Sequence, residues 1–269
     1  TTRAYFDSIK NNYLITGMKT MSNIRFSCTT LAGTQKQGII PKDANGYYDM
    51  VIGGLDILNS AGEYYDHAGA KELFQESSSF MRRVKRGALR GEVGHPRREH
   101  GQSIDSYMSR ILDIDEKNVC VHFSEIYLDF ESFKNPDGTK IVAIRAKLAP
   151  SGPKAEFLKQ SLENKQENVC FSIRSFTENT FKRGRTIKSI KTIVTFDYVN
   201  EPGIHIAEKY KAPSLESFDD LSVSRPQMEK ALDARQVLNL SQESTTLTRK
   251  ELFESFGWQD TNAPRVITW

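Results

Sequence analysis

The chain has 269 residues, of which 38% are hydrophobic and 26% are charged, and its formal net charge is +3. This length can bury a sizeable core, and it predicts one large domain with an appendage or two small domains. Its apolar runs fall short of the roughly 20 residues that cross a bilayer, and no signal-peptide pattern is visible, so a membrane protein is not expected. Three cysteines without CxxC spacing predict a reducing compartment and no structural disulfide.

The first part of the chain carries patterns typical of strands and then of a helix. From Asn12 to about Tyr65 the sequence is β-rich, with a turn signal at Asn45-Gly46. Apolar spacing predicts helical structure from Ala68 to about Lys85, although serines at positions 77 to 79 argue against one continuous helix. Val119 to Phe130 is predicted as a long strand with a bulge near Ser124-Glu125, because the parity of its apolar residues switches there.

Two later strands carry polar side chains in apolar surroundings. Period-two alternation places Ser172 and Arg174 on one face, opposite the larger apolar side chains of their strand. Asp197 is an acid within a β-branched and aromatic strand, where alternation predicts Ile193 on the face of Asp197 and Val194 on the other. The elements predicted in this region are a strand over residues 140–148, a helix over 153–165, and strands over 168–174 and 190–199.

The sequence changes character near residue 205. Residues 205–226 are polar and are interpreted as a linker or arm, and Gln227 to about Leu238 is a short helix candidate. Thr248 with Glu251 forms a capping-box signature before a last helix. We therefore predict one domain over residues 1–205, and a linker with a helical carboxy-terminal extension over residues 206–269.

The stretch Gly91-Glu92-Val93-Gly94-His95-Pro96 interrupts an arginine-rich segment and presents one histidine before a proline. Proline biases the preceding residue towards extended geometry, so the His95 ring is expected to stand away from the backbone at a strand end or turn. Nucleophilic acyl transfer requires a serine, a histidine and an acid. Ser172, His95 and Asp197 form such a trio, although composition alone always supplies one, and each residue could instead be bonded locally in a structural role.

Three blocks of the sequence together resemble the serine prohead core proteases of large tailed bacteriophages. The resemblance implies that His95 is the catalytic base and Ser172 the nucleophile. That family is similar in turn to the herpesvirus assemblins, whose third member is a second histidine. Asp197 best fills this third position here, and His122, Glu92 and Glu125 remain its rivals. The blocks, within roughly residues 45 to 205, are Gly91-Glu92-x-x-His95-Pro96, Phe171-Ser172-Ile173-Arg174 and Phe196-Asp197-x-Val199-x-x-Pro202.

The resemblance also implies a fold and a function. The fold is α+β, with a mixed and antiparallel β-barrel core surrounded by helices. The protein would be a serine endopeptidase that uses no cofactor or metal. It would cut phage scaffold or core proteins, the major capsid protein and itself after glutamate, inside the prohead in the host cytoplasm. The resemblance implies no membrane and no specific nucleic acid as partner, and it leaves a homo-oligomer open.

Substrate contacts are predicted from charge. Arg174, on the face of Ser172, is predicted to bind substrate. If His95 and Ser172 meet, the basic clusters near them would give the cleft a positive field that suits glutamate. The oxyanion hole is predicted to use backbone N–H groups, with the turn at residues 201–204 as a candidate. The clusters comprise Arg82, Arg83, Lys85, Arg86, Arg90, Arg97 and Arg98, and then Lys182, Arg183, Arg185, Lys188 and Lys191.

Some segments resemble substrates of such an enzyme. Ser241-Gln242-Glu243 and Ser214-Leu215-Glu216 are small-x-Glu sites in predicted loops, where cleavage would be accessible. The same pattern occurs at Ser161-Leu162-Glu163 inside a predicted helix, so it is weak by itself. We predict that the tail after Glu243 is trimmed, or occupies the active site before activation.

Two other functions compete with this interpretation. A non-enzymatic nucleic-acid-binding or scaffold protein of the virion would use the arginine clusters on phosphate, although aromatic residues do not interleave with them as in single-strand binders. A metal hydrolase would use His67, His95, His100 or His122. Neither HExxH nor clustered Cys/His spacing supports that hypothesis, so it ranks last.

Overall fold

The computed structural model describes residues 24–32, 40–59, 61–135, 137–199, 221–238 and 247–259, and within them strands form two sheets with helices around them. The strands are β1 (Ile24–Ala32), β2 (Tyr48–Leu55), β3 (Ile57–Leu58), β4 (Tyr64–Tyr65), β5 (Arg90–Glu92), β6 (Val119–Lys134), β7 (Lys140–Pro150), β8 (Cys170–Lys182), β9 (Arg185–Val199) and β10 (Leu221–Val223). The α-helices are α1 (His67–Ala70), α2 (Ser79–Lys85), α3 (Ile104–Leu112), α4 (Ala155–Glu163), α5 (Arg225–Leu238) and α6 (Arg249–Ser255). Short 3₁₀ turns lie at Lys71–Phe74 and Glu116–Asn118.

The first sheet has the strand order β10-β1-β8-β9-β4-β3, and the second has the order β2-β7-β6-β5. The pairs are antiparallel except for β4 with β9. The predicted α+β class is confirmed, but the predicted closed barrel is wrong for the described residues. Closing a barrel requires continuous pairing of strands around it. Here the second sheet meets β9 of the first just after β5, through the isolated bridge between Val93 and Tyr198.

The larger hydrophobic core joins the two sheets. Phe123 of the second sheet contacts Phe171 and Phe196 of the first, with ring centroids 5.8 and 6.0 Å apart. Phe80 of α2 packs on Phe196 from the helical side. Burial of these rings supplies much of the hydrophobic stabilisation that holds one sheet against the other.

A second core lies on the other face of the first sheet, under α3, α5 and α6. Phe176 of β8 and Val194 of β9 contribute to it from the sheet. Helix α3 was not predicted from the sequence, although its apolar residues recur with helical spacing and Ser103 caps its first turn. Ser109 of α3 donates a hydrogen bond to the carbonyl of Ala231 in α5 at 3.1 Å. This core thus combines elements before and after residue 205, and the division into two domains there stays a prediction.

Most of the predicted local elements are confirmed, with one helix divided. The segment after Ala68 forms α1, a 3₁₀ turn and α2 instead of a continuous helix, because Ser78 accepts a hydrogen bond from the Met81 N–H and starts a new helix. The bulge near Ser124 is present as a register shift between β6 and β7. The capping box at Thr248 is also present, and it starts α6.

A bulge at Val194 reverses the alternation of side chains along β9. Arg174 of β8 pairs with Thr195, but the next residue of β8 pairs with Ile193, so Val194 is the extra residue. Ile193 consequently lies in the core between the sheets, and Val194 lies in the core under the helices. The predicted faces of these two residues were therefore wrong, because period-two counting fails across a bulge. Buried Arg83 donates hydrogen bonds to both bulge carbonyls, to that of Val194 at 2.8 Å.

Candidate active site

The register of β8 and β9 places Ser172 directly opposite Asp197. Residues that face each other in this way have Cβ atoms about 4.5–5.5 Å apart. Both side chains are fully buried on the face of the first sheet that points away from the core between the sheets. Within the described part of the chain, Ser172 Oγ forms no hydrogen bond. A hydroxyl and a carboxylate are thus brought together at a position buried from solvent.

The loop after β5 is fixed at two points beside these strands. The Gly94 N–H donates to the carbonyl of Tyr198 in β9 at 2.7 Å, and Gly94 has the positive φ of 74° that glycine tolerates best. The carbonyl of Pro96 accepts a hydrogen bond from the Tyr107 hydroxyl of α3 at 3.1 Å. His95 lies between these two points, so its position is set from both sides.

β5 approaches β9 so closely that one position requires glycine. A Cβ atom on Gly91 would lie 2.0 Å from the carbonyl oxygen of Phe196, a distance that no side chain tolerates. This close approach brings the loop after β5 to Asp197, the neighbour of Phe196. His95 Nδ1 lies 3.0 Å from Asp197 Oδ2. The structure therefore unites the three residues of the predicted trio around one pair of strands.

The hydrogen bond between His95 and Asp197 defines which ring nitrogen can act as a base. A neutral imidazole donates Nδ1–H to the carboxylate, which leaves Nε2 as the unprotonated nitrogen. Burial would by itself raise the pKa of Asp197, but the Arg174 charge and the His95 hydrogen bond outweigh burial and lower it. Asp197 is therefore ionised and able to stabilise a positively charged imidazolium.

Arg174 is fully buried and holds Asp197, in contrast to the substrate contact predicted for it. Its Nε donates to Asp197 Oδ2 at 2.8 Å, and its Nη2 donates to Oδ1 at 2.7 Å. The same Nη2 donates to Glu92 Oε1 at 3.0 Å, and Nη1 donates to the carbonyl of Asp113 at 2.9 Å. A buried guanidinium with these partners does not face a cleft. In this arrangement Arg174 binds the Asp197 carboxylate, and its contact with substrate stays a prediction.

The three rivals for the third position have other partners. Glu92 binds Arg174 and Arg110. The ring of His122 lies 3.0 Å from the Tyr47 hydroxyl and 3.1 Å from the carbonyl of Gly87, and burial lowers its pKa. Glu125 is exposed on the second sheet and forms an ion pair with Lys147. Among the four candidates, Asp197 has the geometry that a triad requires.

One charged residue of this site, Arg110, was not predicted from the sequence. Arg110 lies near the end of α3 and forms a two-pronged ion pair with Glu92, with Nη1 3.0 Å from Oε1. It could have been found only by recognising the amphipathic pattern of α3. That pattern places Arg110 beside the buried Ile111 on a helix whose apolar residues face the first sheet.

Most of the second basic cluster lies along the far part of the β8–β9 hairpin, and Lys191, its member nearest to Ser172, forms an ion pair with Glu178. β8 and β9 form one long hairpin in which Lys182 pairs with Arg185, ten residues along β8 from Ser172. At about 3.3 Å per residue, the hairpin end is roughly 33 Å from Ser172. Lys188, in the same cluster, is buried and forms an ion pair with Glu63. The predicted contribution of this cluster to a positive cleft is therefore wrong.

The first basic cluster is divided between structural and exposed positions. Arg83 is buried at the β9 bulge, and Lys85 forms an exposed ion pair with Glu76. Arg90 and Arg97, on either side of His95 in the sequence, have exposed side chains. These two remain available for an acidic partner.

Several predictions fall outside the described residues. They concern the oxyanion-hole turn at 201–204 and the possible cleavage sites after Glu216 and Glu243. Glu163, the third possible site, is the last residue of α4 and lies 3.4 Å from the Lys42 ammonium. Across the described ranges, no group of three or more His, Cys, Asp and Glu side chains is arranged to hold a metal ion. No helix in the same ranges is long and apolar enough to span a membrane.

The chain is similar to known phage proteases. The sequence model of the Peptidase S80 family matches residues 26–256. Over 248 residues the chain is 34% identical to the capsid maturation protease of Pseudomonas phage phiKZ, which covers 89% of this chain and 90% of that protein. The solved structure of the bacteriophage T4 capsid assembly protease matches 66% of this chain and 98% of its own, with 12% identity and a TM-score of 0.42. The chain belongs to the Peptidase S80 family and is a serine-type protease.

Proposed function

We propose that this protein is a phage capsid maturation endopeptidase in which Ser172 is the nucleophile, His95 the general base and Asp197 the third member of the triad. One observation carries the assignment: His95 Nδ1 lies 3.0 Å from Asp197 Oδ2, and Asp197 faces Ser172 across the β8–β9 pair. The similarity to a protein named as a capsid maturation protease supports the biological setting.

The chemistry follows from these positions. Ser172 Oγ attacks the scissile carbonyl while His95 Nε2 takes its proton, and the ionised Asp197 stabilises the imidazolium that forms. His95 then gives the proton to the leaving amine, which departs and leaves an acyl group on Ser172. Water, activated by the same imidazole, hydrolyses this ester and restores the enzyme.

Access to the nucleophile is a further requirement. Ser172 is fully buried and His95 is about one-fifth exposed, so this arrangement is a closed form of the site. A peptide reaches Ser172 only after part of its surroundings moves. Such a closed form is compatible with a precursor whose activity begins during assembly.

The substrates are assigned by class. We propose that the enzyme cuts phage scaffold or core proteins, the major capsid protein and its own chain after glutamate, within the prohead in the host cytoplasm. The exposed Arg90 and Arg97 beside the His95 loop would attract an acidic side chain. The division into a catalytic domain over residues 1–205 and an extension that is processed, and the formation of a homo-oligomer, belong to the same proposal.

Intact-mass spectrometry of the incubated chain tests this function. Purified protein is compared with its Ser172→Ala variant, and new termini are mapped. We expect new ends after glutamate in the parent and none in the variant. A peptide covering residues 238–248, with Glu243 unchanged or replaced by Gln, tests the specificity.

A second serine supplies the matched control. Ser175 is equally buried on the same strand, but the alternation along β8 places it on the opposite face from Ser172. Ser175→Ala should therefore retain cleavage. Equal cleavage in the parent and Ser172→Ala would contradict the nucleophile.

A further inference from the structure

Charged groups of alternating sign lead from helix α3 to His95. Arg110 of α3 binds the Glu92 carboxylate, with Nη1 3.0 Å from Oε1. Glu92 Oε1 lies 3.0 Å from Arg174 Nη2, which in turn lies 2.7 Å from Asp197 Oδ1. The other oxygen of Asp197 meets His95. These groups come from α3, β5, β8 and β9, so four elements meet at one buried cluster.

The charge balance of this cluster depends on Glu92. Arg174 and Asp197 alone would form a neutral pair, and the guanidinium would cancel much of the field that Asp197 exerts on the imidazole. Glu92 binds the same Nη2 and adds a second negative charge to the same guanidinium. Arg110 then balances Glu92 at the edge of the cluster, where its side chain is 28% exposed.

We propose that Glu92 is a positioning residue for this active site: by sharing Arg174 with Asp197, it orients the guanidinium and leaves the Asp197 charge available to His95. This inference rests on the proposed function of the triad. Glu92 acts through Arg174, and its own carboxylate is not required to touch substrate. The Glu of the GEVGHP stretch thereby acquires a role distinct from that of the histidine.

The other groups around the cluster do not supply a second negative charge to Arg174. Cys120 of β6 is buried, and burial, reinforced by Asp197 and Glu92, raises the pKa of its thiol, so it stays neutral. Asp113 and Asp115, which follow α3, contribute a backbone carbonyl to Arg174 and a backbone N–H to Glu92. The Glu92 backbone N–H separately donates to Asp197 Oδ1 at 3.2 Å. Replacing Glu92 by Gln retains that contact and the side-chain size, and it removes the charge.

Proton NMR on the inactive Ser172→Ala chain tests the inference without any need for proteolysis. The Nδ1 proton shared by His95 and Asp197 gives a downfield resonance whose position reports the strength of that hydrogen bond. We expect Glu92→Gln to shift or broaden this resonance. Glu131→Gln, the same change in an exposed ion pair with Lys140, should leave it unchanged. An unchanged resonance in folded Glu92→Gln overturns the inference.

The reaction rate provides the second measurement. In chains with Ser172 present, we expect Glu92→Gln to lower the rate of reaction with a fluorophosphonate probe and the kcat for the 238–248 peptide by about tenfold, with KM unchanged. A loss confined to stability, with an unaltered rate per folded molecule, contradicts the positioning role. If Glu92→Gln does not fold, Arg110→Gln loosens Glu92 from the exposed side and should shift the resonance less, in the same direction; no shift there overturns the inference. An unreactive parent with a shifted resonance contradicts the proposed nucleophile Ser172 and leaves the positioning supported.

Discussion

Two buried arginines beside the first sheet have different kinds of partner. Arg83 donates to the carbonyls of Ile193 and Val194, and burial lowers its pKa to about 10. Burial would lower the pKa of Arg174 as well, but the charges of Asp197 and Glu92 outweigh it and raise the pKa. Burial alone therefore does not define the role of an arginine; its hydrogen-bond partners do. Arg83 stabilises the backbone of the β9 bulge, whereas Arg174 neutralises and orients two carboxylates.

Removing the carboxylate next to Arg174 should have the largest effect on activity. Asp197→Asn keeps the shape of the side chain but loses the charge that fixes and stabilises the His95 imidazole. We expect kcat to fall by about 10⁴-fold, as for the equivalent change in a serine triad. The measurement is peptide hydrolysis per folded molecule. A decrease in kcat of less than about tenfold would mean that another acid is the third member of the triad.

The stability of the same variant should also depend on pH differently from that of the parent. The folded-state pKa of Asp197 is lowered, so its contribution to stability is fully present above the unfolded pKa of about 3.9 and is lost as pH falls through the folded value. We expect the free energy of unfolding of the parent to fall more steeply with acid below about pH 4 than that of Asp197→Asn. Urea unfolding across this range measures both slopes, and equal slopes would contradict the lowered folded-state pKa of Asp197.

Removing Arg174 should destabilise the protein more than removing Arg83. Arg174→Met leaves two buried carboxylates without their shared counter-charge, which typically costs about 3–5 kcal/mol. Arg174→Lys keeps the charge but loses the bidentate geometry of the guanidinium, so we expect an intermediate loss of stability. Urea unfolding at neutral pH measures both variants. Equal stability of Arg174→Met and the parent would show that the carboxylates do not depend on this guanidinium.

Arg83→Met tests the backbone half of the comparison. The carbonyls of Ile193 and Val194 would lose their donor, at a cost of about 1–3 kcal/mol in the free energy of unfolding. Activity per folded molecule should fall as well, because the bulge sets the face on which Asp197 lies. If Arg83→Met keeps full stability, the bulge is maintained by packing alone.

The smallest effect is expected at the exposed end of the charged cluster. Arg110→Gln leaves Glu92 with Arg174 as its remaining cationic partner, so we expect a loss of about 1 kcal/mol or less. Thermal unfolding with the Glu131→Gln variant as a reference measures this difference. A loss as large as that of Arg174→Met would mean that α3 itself depends on this ion pair.

The strands and the three candidate residues could be found from the sequence, but the charged cluster around Asp197 could not. Alternation along β8 identified the face shared by Ser172 and Arg174, and the GEVGHP stretch identified a presented histidine. The partners of Arg174 could not be predicted, because a strand pattern gives the face of a residue and not what covers that face. The cover comes from α3, which is distant in sequence, and its Arg110 carries no local signal of a carboxylate partner.

The bulge in β9 takes up one extra residue, so the active site tolerates some changes in residue number and not others. Deleting Val194 would join Ile193 to Thr195, and regular alternation would still place Asp197 opposite Ser172 and away from the aromatic core. Deleting Phe196 while the bulge stays would turn Asp197 towards that core. In an alignment of such chains, a gap at Val194 would therefore be compatible with an intact site, whereas a gap next to Asp197 would separate the acid from the histidine without altering either one.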